Sequence, residues 1–351
     1  MNGFYSFMQI LLPIFISLMV VALGGLISER SGVTNIALEG FMIFGGWIGV
    51  IVMDAMLVQL GFAKNFVEVV TIDSNAVNAG YKILIFLVSC LAAGALSGIL
   101  SLIHAYSSIS LNCDQTISAT AINTLAPAFC LFLNMTLDIG QYNLASNGAT
   151  PASDKIPVAN KVLRFDAIPG LSEIPGIGDI FFKNAYPSFF LGILILIGLW
   201  FFLYHTKAGK HVRACGENPY SAAACGINVK KVRYLSVMAS GFLGGVGGFF
   251  LLSVTTINFD GTVAGYGFLA LAVLIFGAWK PFKTMLAALF FSFFTALASG
   301  VSFFPAIEQL KLDPYVYNLL PYLFTLLVLI LSSKKSRAPE ADGLPYLVGK
   351  R

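Results

Sequence analysis

Charge is what this 351-residue chain lacks most: Asp, Glu, Lys and Arg together make up 11% of it. A soluble domain carries about 25%. Histidine is scarce as well, with only His104, His205 and His211. None of the three is paired with a nucleophile, which argues against an integral membrane enzyme built on a His cluster or an activated side chain. The five cysteines (Cys90, Cys113, Cys130, Cys215, Cys225) are scattered, and no CxxC or His-rich spacing suggests a metal site. The chain has no GxxxxGK[S/T] phosphate loop and no usable LSGGQ-like string; its nearest approach, LSGIL, lies inside an apolar run.

What fills the chain is apolar. Hydrophobic residues make up 57% of it and the mean hydropathy is +0.83. Runs of 18 or more apolar residues recur, each long enough to cross the roughly 30 Å hydrocarbon core as a helix. Spans are expected near 8–27, 38–60, 82–106, 115–137, 186–204, 233–253, 266–279, 284–304 and 318–332. The fold class is therefore all-α: a polytopic integral membrane bundle of about eight to ten helices, forming one transmembrane domain over 1–351. The first run lacks a basic leader and reads as a span. Two segments invite breaks. Residues 266–279 are short and stop at Pro281, and GFMIFGGWIGVIVMDAML carries several glycines and Asp54. Asp54 and His104 fall near span ends, where water would reach them. Small residues at Gly94/Gly98, Gly241/Gly245 and Gly244/Gly248 stand four apart, the spacing that lets helices approach closely in lipid.

In such a chain the basic residues report orientation rather than nucleic-acid binding. Residues 205–233 hold six Lys or Arg against one acid, Glu217. By the positive-inside rule this loop is cytoplasmic, as is the tail from 333 with Lys334, Lys335 and Arg337. Counting spans puts 28–35 and 107–115 on the same side. It puts the N-terminus and the Pro- and Gly-rich 138–185 loop outside, the latter irregular with room for a short helix. Within the basic loop, Asn218 suits an N-cap, Pro219 the first helical position and Gly226 the left-handed residue that ends a helix. A helix of about two turns lined with small residues suits either docking into a partner's groove or lying among headgroups.

Polar side chains in spans are costly unless they face the bundle interior or water. Thr116, Thr120, Asn123 and Thr124 follow i, i+4, i+7, i+8 spacing and share a helix face, with Ser118 on the same span. They either line a path or bond between helices. Asn35 and Glu39 flank the second span. They could line the path or its mouth, and Glu39 could instead neutralise a helix N-terminus. An ion-coupled secondary transporter would need midplane carboxylates or a proton relay, and the sequence shows neither clearly.

Four stretches, in order, resemble the permease subunits of ATP-binding-cassette importers in the branch of nucleoside, simple-sugar and branched-chain amino-acid permeases. They are SERSGVTNIALEGFMIFGG at 28–46, DQTISATAINTLA at 114–126, KAGKHVRACGENPYSAAACGINVKKVR at 207–233 and GYGFLALAVLIFGAWKPFKTMLAALFF at 265–291. Ala119, where the branch carries glycine, and Pro127 depart from the pattern. The resemblance implies a bacterial plasma-membrane importer subunit, nucleosides being its first expected cargo and a sugar or vitamin the alternative. It implies that cytosolic subunits bind ATP and Mg and that this chain needs no cofactor. An extracytoplasmic substrate-binding protein and a second permease, related or identical, complete the assembly, with membrane lipid around it. It also implies that Glu217, Asn218, Pro219, Ser221, Ala223 and Gly226 contact the ATPase. The basic flanks would meet that ATPase or anionic lipid.

Overall fold

The computed structural model describes residues 2–64, 68–136, 156–167, 177–300 and 337–347, with isolated positions between them. Among the described residues, seven helices are long and apolar enough to cross a membrane. In chain order the helices are α1 (Asn2–Arg30), α2 (Leu38–Gln59), α3 (Ala79–Ala105), α4 (Gln115–Thr136), α5 (Ile177–Phe181), α6 (Pro187–His205), α7 (Lys207–Glu217), α8 (Pro219–Ala224), α9 (Val229–Thr255), α10 (Tyr266–Phe276) and α11 (Pro281–Ser299). The expected span at 318–332 lies outside the described residues.

α9 is the hub, packed along α1, α2 and α3. In lipid no water is released when apolar helices meet, so close backbone approach must supply the attraction. The glycines provide it. A methyl group on Gly45 of α2 would overlap the Cα of Gly245 on α9, and one on Gly248 would overlap the Met42 backbone. One on Gly241 would strike Ser101 of α3, and one on Gly94 the ring of Phe242. Buried hydroxyls add cross-links: Ser17 Oγ donates to the Gly247 carbonyl at 2.7 Å and Ser97 Oγ to the Phe41 carbonyl at 3.1 Å. The glycines of α2 therefore mark a packing seam rather than a break, and α2 runs unbroken. α1 is enclosed, whereas α3, α4, α6 and α11 turn large apolar side chains such as Leu91, Ile117, Leu194 and Leu286 outward, as lipid-facing helices do.

The segment after α9 does break. α10 has 11 residues, too few to span, and Pro281 opens α11 at its N1 position. The chain between α9 and α10 first pairs Asn258–Phe259 with Ile156–Pro157, then runs irregularly past Leu131 of α4 to the start of α10. α10 thus begins inside the bundle.

The 138–185 loop forms a lid over one end of the bundle. Its described part holds α5 and a short ladder, Phe165–Ala167 against Lys183–Ala185. Val158, Ala159, Val162 and Leu163 of the same loop are buried. This corrects the reading of Asp54 as wetted: the lid closes over that end of α2, and Asp54 is fully buried. His104 is fully buried as well, because the α1–α2 linker folds over the end of α3. Its Nδ1 lies 3.1 Å from Ser118 Oγ and its Nε2 3.2 Å from the Thr34 carbonyl. Asp54 and Glu39, toward opposite ends of α2, are thus both buried.

At the opposite end from the lid, the α1–α2 linker, the α3–α4 turn, the basic loop and the tail come together, as the span count expects. Thr34 N–H donates to Gln115 Oε1 at 2.8 Å. Fully buried Arg233 donates from Nε to the Ser31 carbonyl at 3.2 Å and from Nη1 to the Leu344 carbonyl at 3.0 Å. The tail is strapped down further by Ala341 N–H to the Gly216 carbonyl at 2.9 Å and Thr34 Oγ1 to Asp342 at 3.1 Å. Burial lifts the Asp342 carboxyl to about 6, against the opposing pull of the Thr34 hydroxyl, the Gly343 N–H and the Arg233 guanidinium.

Two predictions follow from this packing. Gly45→Val should destabilise the bundle by about 1–3 kcal/mol or more through overpacking, whereas Gly198→Ala on α6, with open space around it, should keep or raise the unfolding temperature. Thermal unfolding of the purified protein in detergent compares the two. For the tail, a folded pKa raised above the unfolded one stabilises the strap in acid, and that contribution is lost as pH rises through about 6. Amide exchange of residues 338–346, corrected for intrinsic rates, should therefore speed up between pH 5 and 7.5, and Asp342→Asn should flatten the dependence.

Candidate functional site

Two places carry the functional candidates, a capped helix pair at the basic end and the buried start of α10.

The basic loop is two helices, where the sequence suggested one. Thr206 caps α7, its Oγ1 accepting from Gly209 N–H at 3.0 Å. The inner face of α7 is made of Gly209, Val212 and Gly216, small because it lies on backbone: a methyl on Gly209 would strike the Phe202 carbonyl and one on Gly216 the Arg30 carbonyl. The signal for α7 was a threonine cap followed by small or apolar residues three to four apart. Then comes α8 as expected. Asn218 Oδ1 accepts from Ser221 N–H at 3.0 Å, Pro219 occupies N1, and Gly226 takes φ +82°, which favours glycine. Pro219 and Ala222 face inward, Ala222 joining Cys215 and Val229 in a small core. Glu217, Asn218, Ser221 and Gly226 are exposed, together with Tyr220 and Ala224, and Ala223 is half-buried. The tail braces this face, Tyr346 packing on Tyr220 with ring centroids 5.3 Å apart.

The helix pair meets the bundle where Gly216 packs on the Arg30 backbone and where Glu217 Oε1 lies 3.4 Å from Arg30 Nη1 at the end of α1. Glu217 is more than half exposed, so the ion pair itself adds little stability. The other donors of Arg30 reach further. Nε and Nη2 both donate to the Trp279 carbonyl, at 3.1 and 2.9 Å. Trp279 Nε1 donates in turn to Glu29 Oε2 at 2.6 Å. Ala278 and Trp279 both hold positive φ (47° and 52°) in the α10–α11 turn. These contacts fix that turn against the end of α1.

The other end of α10 is held by Glu39. A helix that starts inside a bundle leaves backbone N–H groups without water. Glu39 Oε1 accepts from Gly265 N–H at 2.9 Å and Oε2 from Gly267 N–H at 2.6 Å. Gly265 sits at φ +79°, and a methyl on Gly267 would collide with the Glu39 backbone. Glu39 therefore neutralises a helix N-terminus, that of α10 rather than its own.

The remaining candidates divide. Asn123 bridges α4 to the first turn of α2: its Oδ1 accepts from Gly40 N–H at 2.8 Å and its Nδ2 donates to the Ile36 carbonyl at 3.0 Å. Asn35 is fully buried, donating from Nδ2 to Ser240 Oγ at 2.7 Å. Thr116, Thr120 and Thr124 form an exposed row on α4, and the Thr120 and Thr124 hydroxyls bond back to their own helix. Asp260, Thr262 and Phe268, which the sequence did not single out, are exposed around the descent into α10. Ala119 is buried, and Pro127 lies within α4. Among the described residues no cluster of three His, Cys, Asp or Glu could hold a metal ion.

The family model described as branched-chain amino acid transport system / permease component matches residues 7–332. The guanosine ABC transporter permease protein NupQ of Bacillus subtilis is 39% identical over 336 residues, 95% of this chain and 94% of that protein. The nucleoside ABC transporter permease protein NupC of Lactococcus lactis is 34% identical over the same shares of the two chains. A ribose import permease of Escherichia coli, RbsC, is 29% identical over 93 residues, 26% of this chain and 28% of its own. No solved structure matches. With helices that can span a membrane, a capped helix pair at the basic end and near-full-length agreement with these relatives, the chain belongs to the branched-chain amino acid transport system / permease component family of integral membrane ABC transporter permeases.

Proposed function

We propose that this chain is the translocation subunit of an ATP-driven nucleoside importer in a bacterial plasma membrane. The observation that supports this most is its identity of 39% and 34%, over 95% of its length, to permeases named for guanosine and nucleoside transport. The chain works as one transmembrane unit over 1–351, with the lid outside and the basic end in the cytoplasm. ATP and Mg are bound by cytosolic partner subunits, since this sequence has no phosphate loop. A second permease, related or identical, and an extracytoplasmic binding protein complete the assembly.

α8 is the coupling helix. Exposed Ser221 of α8 and the flanking Glu217, Asn218 and Gly226, with Ala223 beside them, seat in a groove of the ATPase, while Pro219 shapes the helix from within. A push on α8 passes through Glu217 and Arg30 to the α10–α11 turn, and so to a short helix whose far end is held by Glu39. Thr116 and Thr120 face the solute. Asn35, Glu39 and Asn123 hold the frame around it. A discontinuous helix often turns its positive N-terminus toward an anionic cargo. Here Glu39 occupies that end, which favours an uncharged cargo, and nucleosides are uncharged.

Two outcomes test this reading. In nanodiscs with the ATPase subunit, nucleoside-loaded binding protein should stimulate ATP turnover and sugar-loaded protein should not. Ala224→Arg, at an exposed position on α8, should abolish association while the chain still folds. Stimulation by sugar alone, or wild-type association of the variant, contradicts the reading. Glu39→Ala removes two charge-assisted hydrogen bonds, each contributing about 1.5–3 kcal/mol. It should abolish nucleoside uptake while ATPase association persists, as measured by radiolabelled uptake alongside co-purification.

A further inference from the structure

Where α1, α6 and α9 reach the basic end, a groove of about 460 Å³ opens under α7. Its walls are apolar, formed by Ile27, Phe202, Val232, Leu235 and Ala239. Its mouth is polar and basic, with His211, Asn228 and Lys231. Neighbouring Lys207, Lys210 and Lys230 are all exposed, and the one acid of the loop, Glu217, faces Arg30 instead. Among the described residues, no carboxylate lines the groove.

Trp200 and Tyr204 on α6 and Tyr234 on α9 lie near the basic-end termini of their helices, and amphipathic rings of this kind favour a membrane–water boundary. Lys231 precedes Tyr234 on α9, toward the basic end, and Leu235 and Ala239 follow it along the helix. Ala239 is ten residues up α9 from Val229, about 15 Å along the helix. An apolar wall that extends this far along α9 suits the acyl chain of a lipid better than a cytosolic protein docked on α8.

We propose that this groove is a binding site for an anionic phospholipid of the cytoplasmic leaflet. The phosphate sits at Lys231 and His211, and one acyl chain lies along Leu235 and Ala239. Lys231 supplies the charge, and the His211 imidazole supplies an N–H in either protonation state. Cys225 and Gly226, which end α8, also line the groove, so the bound lipid touches the coupling segment directly.

The test reads binding alone, independently of transport. The full chain is reconstituted in nanodiscs containing equal amounts of phosphatidylglycerol and phosphatidylcholine, released, and its retained lipids are counted by native mass spectrometry. The wild-type protein should retain phosphatidylglycerol selectively. Lys231→Ala, at an exposed position that leaves packing intact, should lower that retention about fivefold, the effect of roughly one basic residue at a membrane surface. Ala239→Phe, which fills the apolar wall, should remove retention while Lys231 remains. Equal retention of the two lipids by wild type, or unchanged selectivity in Lys231→Ala, overturns the proposal. Because Lys231→Ala alters only an exposed side chain, it decides the matter even where Ala239→Phe fails to fold.

Discussion

The carboxylate of Glu39 makes the irregular part of this bundle possible. Lipid allows no unsatisfied backbone inside it, and so restricts membrane proteins to continuous helices unless something else supplies the missing partners. By accepting from Gly265 and Gly267, Glu39 lets the chain abandon a span halfway and begin α10 within the protein. Everything around that point is arranged to hold Glu39 in place. Asn123 pins the first turn of α2, Asn35 ties the linker before it to α9, and the glycine seam between α2 and α9 fixes the helix that carries it.

The same short helix connects this interior feature to the basic end. Its C-terminal turn is gripped by Arg30 and Glu29, and Arg30 in turn faces Glu217 at the junction of α7 and α8. α10 is therefore a strut fixed at both ends, one near the helix pair on which an ATPase would act and the other held by Glu39. The tail strengthens this device from outside: Leu344 and Tyr346 reach Arg233 and Tyr220 and close a ring of contacts around α8.

How much of this was legible in the sequence depends on the distance over which each interaction acts. The cap of α8 was readable because Asn218, Pro219 and Gly226 do their work within a few residues of one another. The spans and the short α10 were readable because hydropathy and Pro281 are local signals too. α7 was passed over although Thr206 and the spacing of Gly209, Val212 and Gly216 were present, because its charge drew the reading toward a loop. For Glu39 the sequence leaves open a place at the path or a role at the N-terminus of its own helix; the N–H groups it accepts from lie 226 residues and more further on, and nothing in its neighbourhood says so. The glycines of α2 were ambiguous for the same reason, since a break and a seam look alike until Gly245 is known to lie opposite Gly45. Asp54 and His104 looked wet because hydropathy reports where a span ends and not what folds over it.

The central claim is that α8 and α10 move as one body. Spin labels at Ser221 on α8, Phe268 on α10 and exposed Ile99 on α3, with exposed Cys113 and Cys225 replaced by serine, would measure it in the assembled transporter. Electron–electron double resonance with and without bound ATP should show the 221–268 distance unchanged while both distances to residue 99 shift. A 221–268 distance that changes as much as the other two would show that α10 is not coupled to the docking helix.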